Sequence, residues 1–346
     1  MLAPLRSLVR LFARDAGPRC VDPEPRCMPS LWAPLRAIAV AALVACPAAA
    51  AAQGSAAPPV AERAPLAHEA DADAIPKRGI LYEARSGDST LYLFGTLHVG
   101  KPDFYPLDAR TNQAFAASSV LYLELNLADA TLAKTATDLA AYPEGTSLDR
   151  ALPPELMTRV DAALKRYRIP REAGIRMKPW MLGQTFLLLQ AAQDGYNPAF
   201  ATEIHLLGLA AAQGKEVRGL ETLADQFAVF ERLPESAQER FLADILDALD
   251  DARLKQHLDS LVGAWASGDA HALEEELARE RGEGTAFARD VLPRLVDDRN
   301  QTMAQKIAAI ATPGQRAFVA VGALHLVGPK GIVALLRARG FAVRPL

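Results

Sequence analysis

The chain has 346 residues, is 50% hydrophobic and 23% charged, and carries a formal net charge of −3. That is material for a full core in one large domain or two tightly joined lobes, with no sign of wholesale disorder. Residues 1–52 hold six Arg against three acids, so the remainder stands near −6 and lacks the basic face expected of a nucleic-acid binder.

The N-terminal segment reads as an address rather than as fold. From Met28 to about residue 52, Arg36 precedes the apolar run Ala37–Ala45 and then many small residues, the layout of a secretory signal peptide. Such a run is too short to span a bilayer, which needs ~20 residues. Residues 1–27, rich in Arg and Pro, look like an upstream extension. Cleavage near Ala52 competes with lipid attachment at Cys46, whose Leu43-Val44-Ala45 prefix is similar to a bacterial lipobox; an uncleaved anchor is the third outcome. In each case the folded part faces a periplasmic or extracellular compartment, and Ala- and Pro-rich residues 53–77 form a tether. Cys46 with its lipid would associate the protein with the outer membrane. All three cysteines, Cys20, Cys27 and Cys46, lie in this leader. The body therefore has no disulfide, no Cys nucleophile and no Cys-based metal site, and a metal there must be held by His and carboxylate.

Two strands, Ile80–Ala84 and Thr90–Phe94, flank the turn Ser86-Gly87-Asp88-Ser89 and read as a hairpin that delivers Gly95-Thr96-Leu97-His98. A helix is expected from Pro106 to about Ala117, then a buried strand Ser119–Asn126 interrupted by Glu124. Helices are expected over 128–141, 153–167, 179–193, 199–213, 236–267, 270–281 and 288–311, with Pro154 and Pro179 in first turns that tolerate proline. A short strand at Glu216–Leu220 delivers Glu221-Thr222; a last central strand, Arg316–Val321, delivers Gly322-Ala323-Leu324-His325; a helix over 329–339 and a strand Ala342–Arg344 close the chain. The expected fold is α/β: a central mixed sheet with flanking helices and an inserted helical lobe. Strand ends then present His98, Glu124, Glu221 and His325, and ligands of open α/β sheets collect outside the carboxyl ends of strands.

His is the usual neutral nitrogen ligand, and a Gly three residues earlier lets the chain turn sharply as it leaves a strand. The Gly-x-x-His turn occurs twice, 227 residues apart. The bland reading is that each His caps a strand end. Glu124 lies among apolar residues and has to be paired, metal-bound or at a strand tip, with Arg299 as one candidate partner. Glu221 either joins the site or caps the following helix. Arg299 is either an ion-pair donor or a clamp for a carboxylate or developing oxyanion. His68, His205, His257 and His271 lack a comparable setting. There is no P-loop, nucleophile elbow, dinucleotide fingerprint or His-Glu-x-x-His helix.

The segments LYLFGTLHVG, LYLELNL, GKEVRGLET with Gln226, Trp265 before Gly268-Asp269, DDRNQTMAQKI and FVAVGALHLVGPKGIVALL come in the order of the TraB/PrgY/GumN family, which the chain resembles over about residues 78–345. The resemblance extends to the Tiki extracellular proteins. It implies a domain over residues 78–346 with a Tiki-like fold related to the erythromycin esterase and ChaN groups. It also implies a metal-dependent peptidase centre whose motif residues match His98, Glu124 and His325, with Glu221, Arg299 and Asn300 at further motif positions. Many members have a Gly-Val-Asp-like triplet where this chain has Ala201-Thr202-Glu203, a carboxylate kept but lengthened and without an assigned role.

The leading expectation is that His98, Glu124 and His325 bind Mn, Co or Zn, with water in an open position, Glu221 as general base and Arg299 steadying an oxyanion; the roles of Glu124 and Glu221 are exchangeable. The substrate is a peptide or a polysaccharide-related molecule. A rival reading is a non-catalytic module that captures peptides or glycans. A third, implied by the relation to ChaN, is a metal-sequestering or haem-handling protein. Oligomeric state is left open.

Overall fold

The computed structural model describes residues 75–250 and 253–346. The expected signal segment 28–52 with Cys46, the extension carrying Cys20 and Cys27, and the tether up to residue 74 lie outside the described residues.

Six strands form one sheet in the order β4-β3-β5-β2-β1-β6: β1 Leu81–Ser86, β2 Ser89–Thr96, β3 Val120–Leu123, β4 Glu216–Gly219, β5 Arg316–Gly322 and β6 Ala342–Pro345. The hairpin β1–β2 is closed by Gly87, whose φ of 55° is a left-handed value that a side chain would oppose. β2 pairs with β5, β5 with β3 and β3 with β4, all parallel, so four strands end on one side of the sheet. β1 and β6 continue the other edge in antiparallel pairing, which makes the sheet mixed. β5 is central and buried on both faces from Ala317 to Val321; Phe318 packs against Phe94 and Phe115 at centroid distances of 5.8 and 5.3 Å. β4 is an edge strand and is mostly exposed.

Helices cover the sheet and build the insertion. Leaving out two one-turn segments, they are α1 Ala109–Ala116, α2 Leu132–Ala140, α3 Pro154–Arg166, α4 Pro179–Gln193, α5 Thr202–Ala212, α6 Leu223–Glu231, α7 Glu235–Leu249, α8 Arg253–Ala266, α9 Ala270–Gly282, α10 Arg299–Ile310 and α11 Ile332–Ala338. Trp180 of α4 is fully buried against Phe227 and Phe230 of α6, and its indole N–H reaches Glu231 Oε1 at 2.7 Å. Trp265 of α8 closes over the sheet and donates to the Gly95 carbonyl at 2.8 Å.

Three expected elements differ. The single helix over 236–267 is two, α7 and α8, with Asp250 as the C-cap of α7; the acids Asp247 and Asp250 crowd a C-terminus whose dipole disfavours negative charge. The helix over 288–311 is α-helical only from Arg299; before it lie π-helical turns at Phe287–Val291 and Pro293–Asp298, where Pro293 has no N–H to give an α-helical bond. Helix α6 was expected only as an unbounded helix after Glu221, and Thr222 rather than Glu221 caps it. Its start is signed by a capping box, with Thr222 Oγ1 accepting from the Asp225 N–H and Asp225 Oδ2 accepting from the Thr222 N–H. Among the described residues no helix is long and apolar enough to cross a membrane.

Candidate functional site

The parallel strands set the site. Glu124 follows the last residue of β3, His98 lies two residues past β2, Glu221 two residues past β4, and His325 ends a 3-10 turn that follows β5. β-type bonding runs on past the strands: the Glu221 N–H donates to the Glu124 carbonyl at 2.8 Å, which sets the two carboxylates side by side. Arg299, the first residue of α10, enters from above. The four strand-end residues named from the sequence and Arg299 are thus brought together, and Thr222 rather than Glu221 caps α6.

The centre is a buried carboxylate–guanidinium cluster. Arg299 Nη2 bonds Glu124 Oε2 and lies 2.6 Å from Glu221 Oε2; Nε reaches both Glu221 oxygens at 3.1 Å; Nη1 donates to the Leu295 carbonyl at 3.2 Å and faces His325 Nε2 at 3.4 Å. Every N–H of the guanidinium faces one of these acceptors. Gln226 Nε2 bridges the same carboxylates, 3.3 Å from Glu124 Oε2 and 3.2 Å from Glu221 Oε2. Glu124 Oε1 accepts from the Gly322 N–H at 2.7 Å. Burial works to raise the Glu124 pKa, but Arg299, then His325 and His98, hold it well below the usual carboxylate range. In this arrangement four of the Arg299 N–H groups are spent on the two carboxylates and the Leu295 carbonyl, the fifth faces His325 Nε2, and Glu221 is tied to the guanidinium and to Gln226.

The two histidines converge from opposite sides. His325 Nδ1 faces Asn300 Oδ1 at 2.7 Å, and Asn300 spends its amide N–H on the Lys330 carbonyl at 2.9 Å, so Oδ1 must accept and His325 must donate from Nδ1. Its Nε2 keeps a lone pair, 3.7 Å from Glu124 Oε1. Burial first, helped by Arg299 and His98, pushes the His325 pKa down to about 3, which keeps the ring neutral. His98 Nδ1 is 2.7 Å from Glu203 Oε1. Burial works to lower the His98 pKa, but the charge and hydrogen bond of Glu203 outweigh it and the net direction is upward. The side chain of His98 is 23% exposed against 8% for His325, so the site meets solvent on the His98 side.

Gly322 shows where these groups point. A Cβ built on it would lie 3.3 Å from Glu124 Oε1, 3.4 Å from His325 Cδ2 and 3.8 Å from His98 Nε2. Among the described residues no three His, Cys, Asp or Glu side chains already form a ligand set for a metal ion. The donor chemistry nevertheless fits one: two imidazoles with Nδ1 bound to oxygen, and one carboxylate, face a common cradle. The charges fit as well, since Glu124, Glu203 and Glu221 are all buried here and Arg299 is the one buried guanidinium among the described residues.

Two partners carry weight beyond the residues singled out in the sequence. Gln226 was legible only as a motif position. Glu203 had no role in sequence, because nothing in its helix links residue 203 to His98.

The TraB/PrgY/gumN family matches residues 80–345. The chain is 24% identical over 256 residues to Uncharacterized protein YbaP of Escherichia coli (strain K12), covering 72% of this chain and 89% of that protein. It is 24% identical over 302 residues to Metalloprotease TIKI1 of Danio rerio, covering 74% of this chain and 61% of that protein. It is 23% identical over 303 residues to Metalloprotease TIKI homolog of Amphimedon queenslandica, with 74% and 59% covered. No solved structure matches the chain. With a match over most of its length, and with both Gly-x-x-His turns, Glu124 and Arg299 gathered at one end of the sheet, the chain is a member of the TraB/PrgY/gumN family.

Proposed function

We propose that this protein is an exported, divalent-metal-dependent hydrolase of peptidase type. The observation that carries the reading is the cradle beside Gly322, where His98 Nε2, Glu124 Oε1 and the His325 ring converge and where buried negative charge exceeds buried positive charge. The similarity to proteins named metalloproteases points the same way.

His98, Glu124 and His325 would hold the ion, drawn from Mn, Co or Zn, all suited to imidazole and carboxylate. When bound, the ion supplies an activated water and polarises a carbonyl. The chain's own residues do the positioning. Arg299, Gln226 and the Gly322 N–H fix Glu124 by its two oxygens. Glu221, bonded to Arg299 through Nε and Nη2, anchors the guanidinium rather than acting as the base that the sequence suggested. Asn300 holds the His325 proton at Nδ1 and keeps a lone pair on Nε2, which would exchange its long contact with Arg299 Nη1 for the ion.

A peptide is preferred to a polysaccharide-related substrate on the similarity to proteins named metalloproteases. Export rests on residues 28–52 and lipid anchoring on Cys46.

The test is metal content by elemental analysis, Mn, Co and Zn affinity by calorimetry, and cleavage of a peptide library by the full chain, His98→Ala and His325→Ala. Stoichiometric metal and cleavage lost in both variants supports the reading. Cleavage that survives complete metal removal overturns it and leaves a metal-free site; equal, negligible metal and no cleavage in all three folded proteins favours the non-catalytic capture module.

A further inference from the structure

Glu203 sits in the first turn of α5, at a helix N-terminus that favours a carboxylate, and is buried. That turn is stapled to the chain just before His98: the Thr202 N–H donates to the Leu97 carbonyl at 2.9 Å, and Thr202 Oγ1 takes the Leu97 N–H at 2.6 Å. Glu203 Oε1 accepts from both Thr96 Oγ1 and His98 Nδ1. Its other oxygen, Oε2, is buried with no hydrogen-bond partner among the described residues.

On the metal-hydrolase reading, which it extends, we infer that Glu203 is the positioning residue of His98: its Oε1 pins the imidazole proton to Nδ1, locks the ring orientation and turns the Nε2 lone pair into the cradle beside Gly322. Asn300 does the same for His325 through Oδ1, so each histidine has its own orienting oxygen, one from a carboxylate and one from an amide. The role assigns chemistry to the lengthened triplet Ala201-Thr202-Glu203. Thr202 fixes the height of the helix start on Leu97, and the longer Glu side chain reaches His98 from there.

The experiment is nitrogen-15 NMR of the imidazoles in the full, metal-free chain, with Mn affinity by calorimetry, for the wild type, Glu203→Leu and Glu203→Gln. In the wild type the neutral His98 ring carries its proton on Nδ1. Glu203→Leu, which leaves Thr96 Oγ1 and His98 Nδ1 without their acceptor, loses some thermal stability, moves the His98 proton towards Nε2, leaves the His325 resonances in place and weakens Mn binding about 10–100-fold. Glu203→Gln, which keeps an acceptor oxygen, retains the Nδ1 proton and recovers part of the affinity. An unchanged His98 tautomer in Glu203→Leu overturns the proposal. If Glu203→Leu does not fold, a wild-type Mn affinity with a proton on Nε2 in Glu203→Gln overturns it. A wild type that binds no Mn but shows the tautomer change on mutation sinks the metal reading while upholding the role of Glu203.

Discussion

The turn carrying His98 and the turn carrying His325 lie beside each other at the ends of β2 and β5, paired in register up to Thr96 and Gly322, yet each holds its imidazole by a different chemistry. One is partly exposed, tied to a carboxylate and favoured in its charged form; the other is buried, tied to an amide and kept neutral. Their glycines differ too. Neither has a left-handed φ, so neither serves the sharp turn that the sequence suggested. A Cβ on Gly95 would press on Ile80 at 2.8 Å and on Ala323 Cα and Cβ at 3.0 Å, so Gly95 lets the second turn pack against the first. Gly322 instead borders the cradle. The glycine of the same four-residue pattern thus serves packing in one copy and borders the site in the other.

The guanidinium between the carboxylates and the His325 turn gives the largest expected effect. Arg299→Met removes the partner of two buried carboxylates and leaves them facing each other beside Gln226. Breaking a buried ion pair from one side costs about 3–5 kcal/mol, read as a shift in the urea midpoint. Arg299→Lys recovers little, because a point ammonium cannot bond both carboxylates and the Leu295 carbonyl at once. A midpoint shift below about 1 kcal/mol would show that the carboxylates are neutralised by something else.

Next in size is Gly95→Ala. Its methyl group would overlap the backbone of Ala323, and overpacking of this kind costs about 1–3 kcal/mol. Urea denaturation of Gly95→Ala beside Gly322→Ala separates the two turns: the first loses stability and the second mainly the site. Equal losses would erase the distinction drawn between the glycines.

The pH response tests the histidines directly. His325 is held below the ordinary imidazole value, so the unfolded chain binds its proton first as pH falls; its contribution is present above about pH 6.5 and is lost on acidification towards the folded value of about 3. His98 is raised above the ordinary value, so its contribution is full below about pH 6.5 and is lost as pH rises through its folded pKa. The stability profile should therefore fall on both sides. His325→Gln flattens the acid limb and His98→Gln the alkaline limb, as measured by urea midpoints across the range. Both limbs changing in the same variant would mean that the turns are not separable.

Much of this was legible in the sequence because the strands announce themselves. Leu91–Phe94, Val120–Leu123 and Ala317–Val321 are short apolar runs; Glu124 closes the second directly, and His98 and His325 follow the other two through a Gly-x-x-His turn. Parallel pairing then makes convergence of His98, Glu124, Glu221 and His325 a consequence of topology. What could not be read was which donor each acceptor takes. Arg299 and Glu221 carry the same letters whether one is a clamp and the other a base or whether they are locked together. Glu203 reaches His98 from a helix 105 residues further along the chain, a separation that no local pattern encodes. Helix α6 was given no bounds and its cap was placed one residue early, at Glu221, because Thr222 was read together with Glu221 as a strand end. The π turns before Arg299 were missed because Pro293 signals only that an α-helix is interrupted, not how the backbone closes the gap.

The smallest effect on stability should come from Gly322→Ala, and it is the most informative about the site. Gly322 has φ −48°, which alanine adopts without strain, and its added methyl meets side-chain atoms at 3.3–3.8 Å rather than backbone. Lower freedom in the unfolded chain adds about 0.4–1 kcal/mol, which offsets the tight contacts, so the urea midpoint should hardly move. The methyl group nevertheless occupies the space that His98, Glu124 and His325 share, beside the very N–H that fixes Glu124 Oε1. Mn affinity and peptide cleavage should therefore disappear from a protein that melts like the wild type. If Gly322→Ala binds Mn as the wild type does, the cradle is not the metal position, and the two turns meet there for packing alone.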